Sequence, residues 1–147
     1  MFSAKNFFSA GQVKQIESAI QSAEENTSGE IRVHIESICN GNALRSAAKI
    51  FHKMGMHKTH LRNGVLFYLA VKDKKFAMVG DEAIHKNVPE GFWDLVRDKM
   101  LTQFKQEKFV EGLCEGIEMA GQEFKKYFPH SSSDKNELSN EVTFGKK

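Results

Sequence analysis

The stretch Arg62–Asp94, RNGVLFYLAVKDKKFAMVGDEAIHKNVPEGFWD, decides the fold of this chain. Val65–Val71 is apolar at every position, which is typical of a strand buried on both faces beneath covering helices. Asn63-Gly64 predicts a sharp turn before this strand, because Gly tolerates a positive φ and Asn nearly does. The charged turn 72–75 leads into a returning strand, Phe76–Val79, so the stretch predicts a hairpin at the centre of the fold.

Helices are predicted on both sides of this hairpin. Ser9 and Gln12 form a capping box that starts the first helix. The alternation of Ile31, Val33 and Ile35 with polar residues predicts a strand near a sheet edge. Three later helices should each bury one face, formed by Leu44, Ala47, Ala48, Phe51 and Met54, by Phe92, Leu95, Val96, Met100 and Phe104, and by Phe109, Leu113, Ile117, Ala120 and Phe124.

The order of the predicted elements is α-β-α-β-β-α-α, which indicates an α/β fold. A strand, a helix and a parallel strand followed by a hairpin favour a three-layer α/β/α sandwich. The small mixed sheet should have about four strands, of which the sequence places three. Gly112 and Gly116 lie inside the last predicted helix, where they indicate close packing against a neighbouring helix.

Composition limits the classes of protein to consider. With 147 residues, 40% hydrophobic and 27% charged, the chain is expected to form one domain over 1–130. The polar segment 131–147 is predicted to be a disordered tail. The net charge of +2, with Lys and Arg dispersed along the sequence, argues against nucleic acid. We expect no insertion into a membrane and, without a signal peptide, a cytoplasmic location.

One end of the predicted sheet gathers oxygen ligands. The starts of the first two strands and the end of the third should meet there, because the first pair is parallel and the hairpin is antiparallel. Many hard oxygens without His or Cys suit calcium better than zinc. The candidate ligands are Glu30, Asn63, Asp81, Glu82, Glu90 and Asp94.

A simpler interpretation of these carboxylates stays open. Asp81 is also placed to cap the turn over 82–86. Glu90 and Asp94 lie where the dipole of a helix favours acids, and Glu30 is equally suited to a solvated strand start.

The opposite end of the sheet carries a second candidate site. The run Cys39–Ser46, CNGNALRS, lies between a strand and a helix and resembles the phosphate loop of low-molecular-weight tyrosine phosphatases. In that hypothesis Cys39 is the nucleophile, Arg45 binds the phosphate oxygens, and Asp73 replaces the family's Asp-Pro acid. The alternative is structural, with Asn42 capping a helix and Cys39 buried.

Three longer segments resemble the TPM domain: TSGEIRVHIES, MHKTHLRNGVLFYLAVKDKKFAMVGDEAIHKNVPEGFWD and KFVEGLCEGIEMAGQEFKKYFP. The resemblance covers Phe8–Pro129 and is that of a stand-alone bacterial member without the usual membrane anchor. It implies an α/β/α sandwich with two crossing loops pinned by calcium, as one or two ions. These crossing loops map to Arg62–Gly64 and Gly80–Glu90. Many relatives carry Asp at the position of Asn63 and Gly-x-Gly at 80–82.

The resemblance implies two kinds of function. Phosphatase activity is attributed to thylakoid-lumen relatives with a role in photosystem II repair, and other relatives are accessories of membrane proteins. We therefore expect a non-enzymatic, calcium-binding accessory module with an unidentified protein partner. The alternative is a phosphatase, either metal-assisted at the crossing loops or with Cys39 as nucleophile.

Overall fold

The computed structural model describes residues 4–130 and 138–145. The elements are α1 Ala4–Phe7, α2 Ala10–Glu24, β1 Glu30–Glu36, α3 Ala43–Lys53, a 3-10 turn Met56–Lys58, β2 Gly64–Ala70, β3 Lys75–Gly80, α4 Glu82–Asn87, α5 Glu90–Lys105, α6 Phe109–Tyr127 and β4 Thr143–Phe144. Within the described residues, no helix combines the length and the apolar character needed to cross a membrane.

The four described strands form one mixed sheet in the order β3-β2-β1-β4. β1 and β2 are parallel, from Glu30 opposite Gly64 to Glu36 opposite Ala70. β2 and β3 form the predicted antiparallel hairpin. Every residue of β2 is buried, as its unbroken apolar sequence predicted. The predicted α/β fold with a four-stranded mixed sheet is therefore confirmed.

Helices cover both faces of the sheet. On one face, Ile31, Val33 and Phe67 belong to a core that also contains buried residues of α2, α5 and α6. On the other face, Tyr68 packs with Ala47 of α3 in a smaller cluster. The arrangement is the three-layer sandwich that the order of elements predicted.

Two leucines predicted to face the core are exposed. Leu44 is 56% exposed and Leu95 is 51% exposed. Leu44 lies in the first turn of α3, one turn before buried Ala47, at the end of the helix where β1 stops. In α5, Val96 and Met100 form the buried stripe, and Leu95 lies on its solvent side. Helical periodicity alone does not show where a sheet ends or how wide the buried stripe is.

The predicted turn before β2 is displaced. Gly64 is the first residue of β2, and the positive φ belongs to Arg62, at 52°. A non-glycine residue in this region is uncommon and is held there by its surroundings. The capping box of Ser9 and Gln12, by contrast, is present as predicted.

Residues 138–145 differ from the predicted disordered tail, and they supply the fourth strand. Thr143 pairs with His34 in β1, and the Thr143 hydroxyl lies 2.7 Å from His34 Nδ1. Leu138 and Val142 are buried because their apolar side chains pack into hydrophobic clusters, each into a different one. β4 pairs with only two residues of β1, so β1 lies next to the sheet edge. The rest of the predicted tail, 131–137 and 146–147, lies outside the described residues.

Candidate functional site at the crossing loops

The crossing loops contact each other through their backbones. They lie where β1 and β2 begin and β3 ends, as the predicted topology requires. The Asp81 N–H donates to the Gly64 carbonyl at 2.9 Å, and the Ala83 N–H donates to the Arg62 carbonyl at 2.9 Å. Backbone hydrogen bonds alone therefore join the two loops.

An ion pair between Arg62 and Asp81 links the side chains of the same two loops. Arg62 Nε donates to Asp81 Oδ2 and Nη2 donates to Oδ1, both at 2.8 Å. A third guanidinium nitrogen, Nη1, lies 3.5 Å from a carboxylate oxygen of Glu82. One cation is thus shared by two adjacent carboxylates, and its pairing with Asp81 has the bidentate geometry that makes Arg–carboxylate pairs strong.

Asp81 is the buried member of this group, with a side chain only 5% exposed. Burial opposes its ionisation, but hydrogen bonds from Arg62 and from the Glu82 N–H outweigh burial and hold the pKa of Asp81 below its usual range. Asp81 is therefore a buried carboxylate whose negative charge depends on the cation beside it.

Asp81 also serves as the helix cap that the simpler interpretation proposed. It is the N-cap residue of α4, and its Oδ1 accepts from the Glu82 N–H at 2.7 Å. The cap and the ion pair use the same carboxylate, so Asp81 holds α4 and both loops together.

The other predicted ligands are engaged separately. Glu30 Oε1 accepts from the Leu138 N–H at 2.6 Å, which ties its carboxylate to the C-terminal segment. The Asn63 amide donates to the Ser28 hydroxyl at 3.3 Å. Glu90 is exposed in the first turn of α5, and Asp94 pairs with Arg97 in the same helix at 3.0 Å. Among the six candidates, Asp81 and Glu82 share one charged partner, Arg62.

The donor chemistry of this pair suits a hard cation. Within residues 4–130 and 138–145, no three acidic, histidine or cysteine side chains form a metal-binding group. The Arg62 guanidinium, however, already occupies the position of a cation between Asp81 and Glu82. Carboxylate oxygens are ligands that calcium prefers, so Asp81 and Glu82 are the side chains that would hold it if it took the place of the Arg62 guanidinium.

The second candidate site, around Cys39, is built as a packed turn. Cys39 is 4% exposed, and its N–H donates to Asp73 Oδ2 at 2.7 Å. Lys75 Nζ donates to the carbonyls of Cys39 and Gly41, at 3.1 and 2.8 Å. The hairpin thus brings Asp73 beside Cys39, as the topology predicted, but the carboxylate binds the Cys39 backbone.

Three backbone N–H groups of this loop, those of Cys39, Arg45 and Ser46, have protein partners. Asn42 caps α3 by accepting from the Arg45 N–H at 2.9 Å. The Cys39 thiol lies 3.5 Å from the Ser46 hydroxyl, inside the cluster that contains Tyr68. No observation favours catalysis at this loop, so the phosphatase hypothesis stays a prediction.

Arg62 is the site residue whose role sequence reasoning missed. The antiparallel register pairs Val65 with Gly80 and, continued outwards, places 64 opposite 81 and 62 opposite 83, so the long Arg62 side chain reaches Asp81. That register was predictable from the hairpin, and it is the signal that could have identified the Arg62–Asp81 pair.

Comparison with known proteins gives a family match and similar structures. The profile of the TPM domain family matches residues 1–123. The BA42 protein of the psychrophilic bacterium Bizionia argentinensis, solved by NMR, is 45% identical, with a TM-score of 0.90. The alignment covers 96% of this chain and 97% of that chain. None of the proteins with curated functional descriptions matches.

Two more distant solution structures share the fold. The N-terminal domain of a P. gingivalis protein is 19% identical with a TM-score of 0.69, over 86% of this chain and 83% of that chain. The N-terminal domain of the cg2496 protein from Corynebacterium glutamicum is 14% identical with a TM-score of 0.64, over 96% of this chain and 83% of that chain. At these identities the likeness concerns the fold alone.

Proposed function

The chain belongs to the TPM domain family, and we propose that it is a non-enzymatic accessory module of the cytoplasm whose crossing loops bind calcium and contact a protein partner. The observation that carries the proposal is the Arg62 guanidinium between Asp81 and Glu82. It marks a position between the two loops where two carboxylates already share a positive charge.

Arg62 makes calcium binding at this position a competition. Asp81 is buried and stays in place as the cap of α4, whereas the Arg62 side chain is 43% exposed and has solvent to turn into. When bound, calcium supplies a doubly charged centre that oxygen ligands surround. Asp81 and Glu82 are the side chains that would hold it, and the Arg62 side chain would leave them.

The partner contact is proposed at the tip beside this site. Leu61 is 47% exposed and directly precedes Arg62. Leu61 is one of five large apolar side chains exposed in the described part of the chain, and the one beside this ion pair, so we place the contact there. Photocrosslinking from position 61 in cells should yield a calcium-dependent adduct that is absent when the probe is at exposed Leu95. An adduct pattern that is identical at both positions would remove the support for this surface.

The competition predicts opposite effects of one substitution on stability. Arg62→Gln should lower the melting temperature in EDTA, because the buried Asp81 carboxylate loses its partner. The same variant should show a larger increase in melting temperature with calcium than the wild type. A ligand at one hundred times its Kd adds roughly 2.7 kcal/mol, which corresponds to several degrees for a chain of this size. Melting curves with EDTA, calcium and magnesium measure both effects.

Lys58→Gln is the matched control, since it removes the same charge from the 3-10 turn and leaves Asp81 paired. It should behave like the wild type with calcium. No calcium-dependent shift in either the wild type or Arg62→Gln would contradict calcium binding and leave Arg62 as the permanent link between the loops.

A further inference from the structure

The end of the sheet opposite the crossing loops joins three segments that are distant in sequence: 37–45, 71–75 and 105–108. The Lys72 N–H donates to the Ser37 carbonyl at 2.9 Å. Lys75 Nζ donates to the Gly41 carbonyl at 2.8 Å, and Lys74 Nζ lies 3.9 Å from a carboxylate oxygen of Glu107. These contacts make the three segments one surface, called the basic edge below.

The basic edge concentrates positive charge. It contains six cationic residues and two acidic ones, a net charge of +4 where the whole chain has +2. One of the two carboxylates, Asp73, is engaged with the Cys39 N–H. The cations are Arg45, Lys72, Lys74, Lys75, Lys105 and Lys108, and all but Lys75 are exposed.

Two large aliphatic side chains project from the same edge. Ile38 is 48% exposed and Leu44 is 56% exposed, and they belong to a group of only five large apolar residues exposed in the described part of the chain. The Lys72 backbone bonds to Ser37, the residue before Ile38, so Ile38 lies beside the charged hairpin. Leu44 directly precedes Arg45 in the first turn of α3.

We infer that the basic edge docks on an anionic lipid surface. Lys and Arg around exposed aliphatic side chains match the boundary between lipid headgroups and acyl chains. No aromatic side chain lies in these three segments to stack on bases, which makes the edge a poor match for single-stranded nucleic acid. The contact is made by loop tips at the membrane surface, and no segment crosses the bilayer. The inference is independent of calcium binding at the crossing loops.

Co-sedimentation of the full chain with vesicles tests the inference. The chain should bind vesicles of phosphatidylcholine containing about one third phosphatidylglycerol, and should bind pure phosphatidylcholine at least about tenfold more weakly. Raising the salt from about 0.05 to about 0.5 M should release most of the bound protein, because screening weakens the attraction to the headgroups.

Matched pairs of variants separate this edge from the general surface. Ile38→Ser with Leu44→Ser, and separately Arg45→Gln with Lys72→Gln, should each weaken vesicle binding about tenfold. Leu95→Ser with Lys99→Gln, which changes an exposed apolar and an exposed basic residue of α5, should leave binding unchanged. Circular dichroism spectra show whether each variant is folded.

Three results would overturn the inference. The first is no binding to anionic vesicles at low salt. The second is equal loss in the α5 control, which would make the binding a property of the whole surface. The third is binding that the Ile38 and Leu44 substitutions leave unchanged while polyglutamate competes fully, which would assign the edge to acidic polymers.

Discussion

Glu24 shows how burial at a single residue changes the dependence of stability on pH. Its carboxylate accepts the Ile31 N–H at 2.7 Å, at the point where β1 begins. Burial raises the pKa of Glu24 from 4.5 to about 7, the Ile31 hydrogen bond opposes this, and the nearby Glu30 charge adds to it. Between these two values the folded chain holds a proton that the unfolded chain releases. The stability that Glu24 contributes is therefore present below about pH 4.5 and is lost as the pH rises through 7.

Glu24→Gln should stabilise the chain at alkaline pH. Gln keeps an acceptor for the Ile31 N–H and carries no charge, so the gain should reach about 1–3 kcal/mol at pH 8 and shrink as the pH falls towards 5. Urea unfolding at both pH values measures the difference. Exposed Glu25→Gln is the control and should change little at either pH. An effect of Glu24→Gln that is independent of pH would show that its charge is not the cause.

Residue-scale roles were predictable where the partner is close in sequence. The cap formed by Ser9 and the one formed by Asn42 follow from local spacing, and both are present. The role of Glu30 was not predictable, because its partner is the Leu138 N–H, 108 positions away. Sequence patterns carry little information about such a contact, since it depends on where a polar segment returns to the fold.

Helix α6 illustrates packing at the scale of the element. A Cβ added at Gly116 would lie 2.3 Å from Met100 Sδ of α5, and one at Gly121 would lie 2.7 Å from the Ala23 Cβ of α2. The close packing predicted at Gly116 and at Gly112, which faces Phe104, is confirmed. The missing side chains allow α6 to contact two helices at once.

Gly121→Ala should destabilise the chain although Ala is the better helix former. The new methyl would also lie 2.9 Å from the Ala23 carbonyl oxygen, so backbone must move. We expect the free energy of unfolding to fall by a net amount of about 1–3 kcal/mol, although the higher helix propensity of Ala alone would add ~1 kcal/mol. Gly11→Ala in α2, with no atom closer than 3.9 Å, should gain stability instead. Thermal unfolding compares the two, and equal stability of both variants would contradict this account of α6.

At the scale of the whole molecule, the two ends of the sheet differ in chemistry. One end holds the Arg62 ion pair with Asp81 and Glu82, and the other carries the exposed cations of the basic edge. The topology of β1, β2 and β3 was predictable, because hydrophobic patterns and the hairpin determine it, whereas β4 comes from a polar segment without such a pattern. The charge distribution was not predictable, because the residues of the basic edge come from three separate segments. A net charge of +2 and dispersed Lys and Arg conceal it.

Calcium and Arg62 are proposed to compete for the same carboxylate, that of Asp81. The most direct measurement is an NMR titration of the full chain with calcium, with magnesium as the control, following the backbone amides and the Arg62 Nε–H signal. We predict calcium-specific shifts concentrated at 62–64 and 80–83. The Arg62 Nε–H signal should also lose the chemical shift that indicates a hydrogen bond to the Asp81 carboxylate. Shifts absent from these loops, or spread evenly over exposed carboxylates such as Asp94 and Glu107, would contradict the claim.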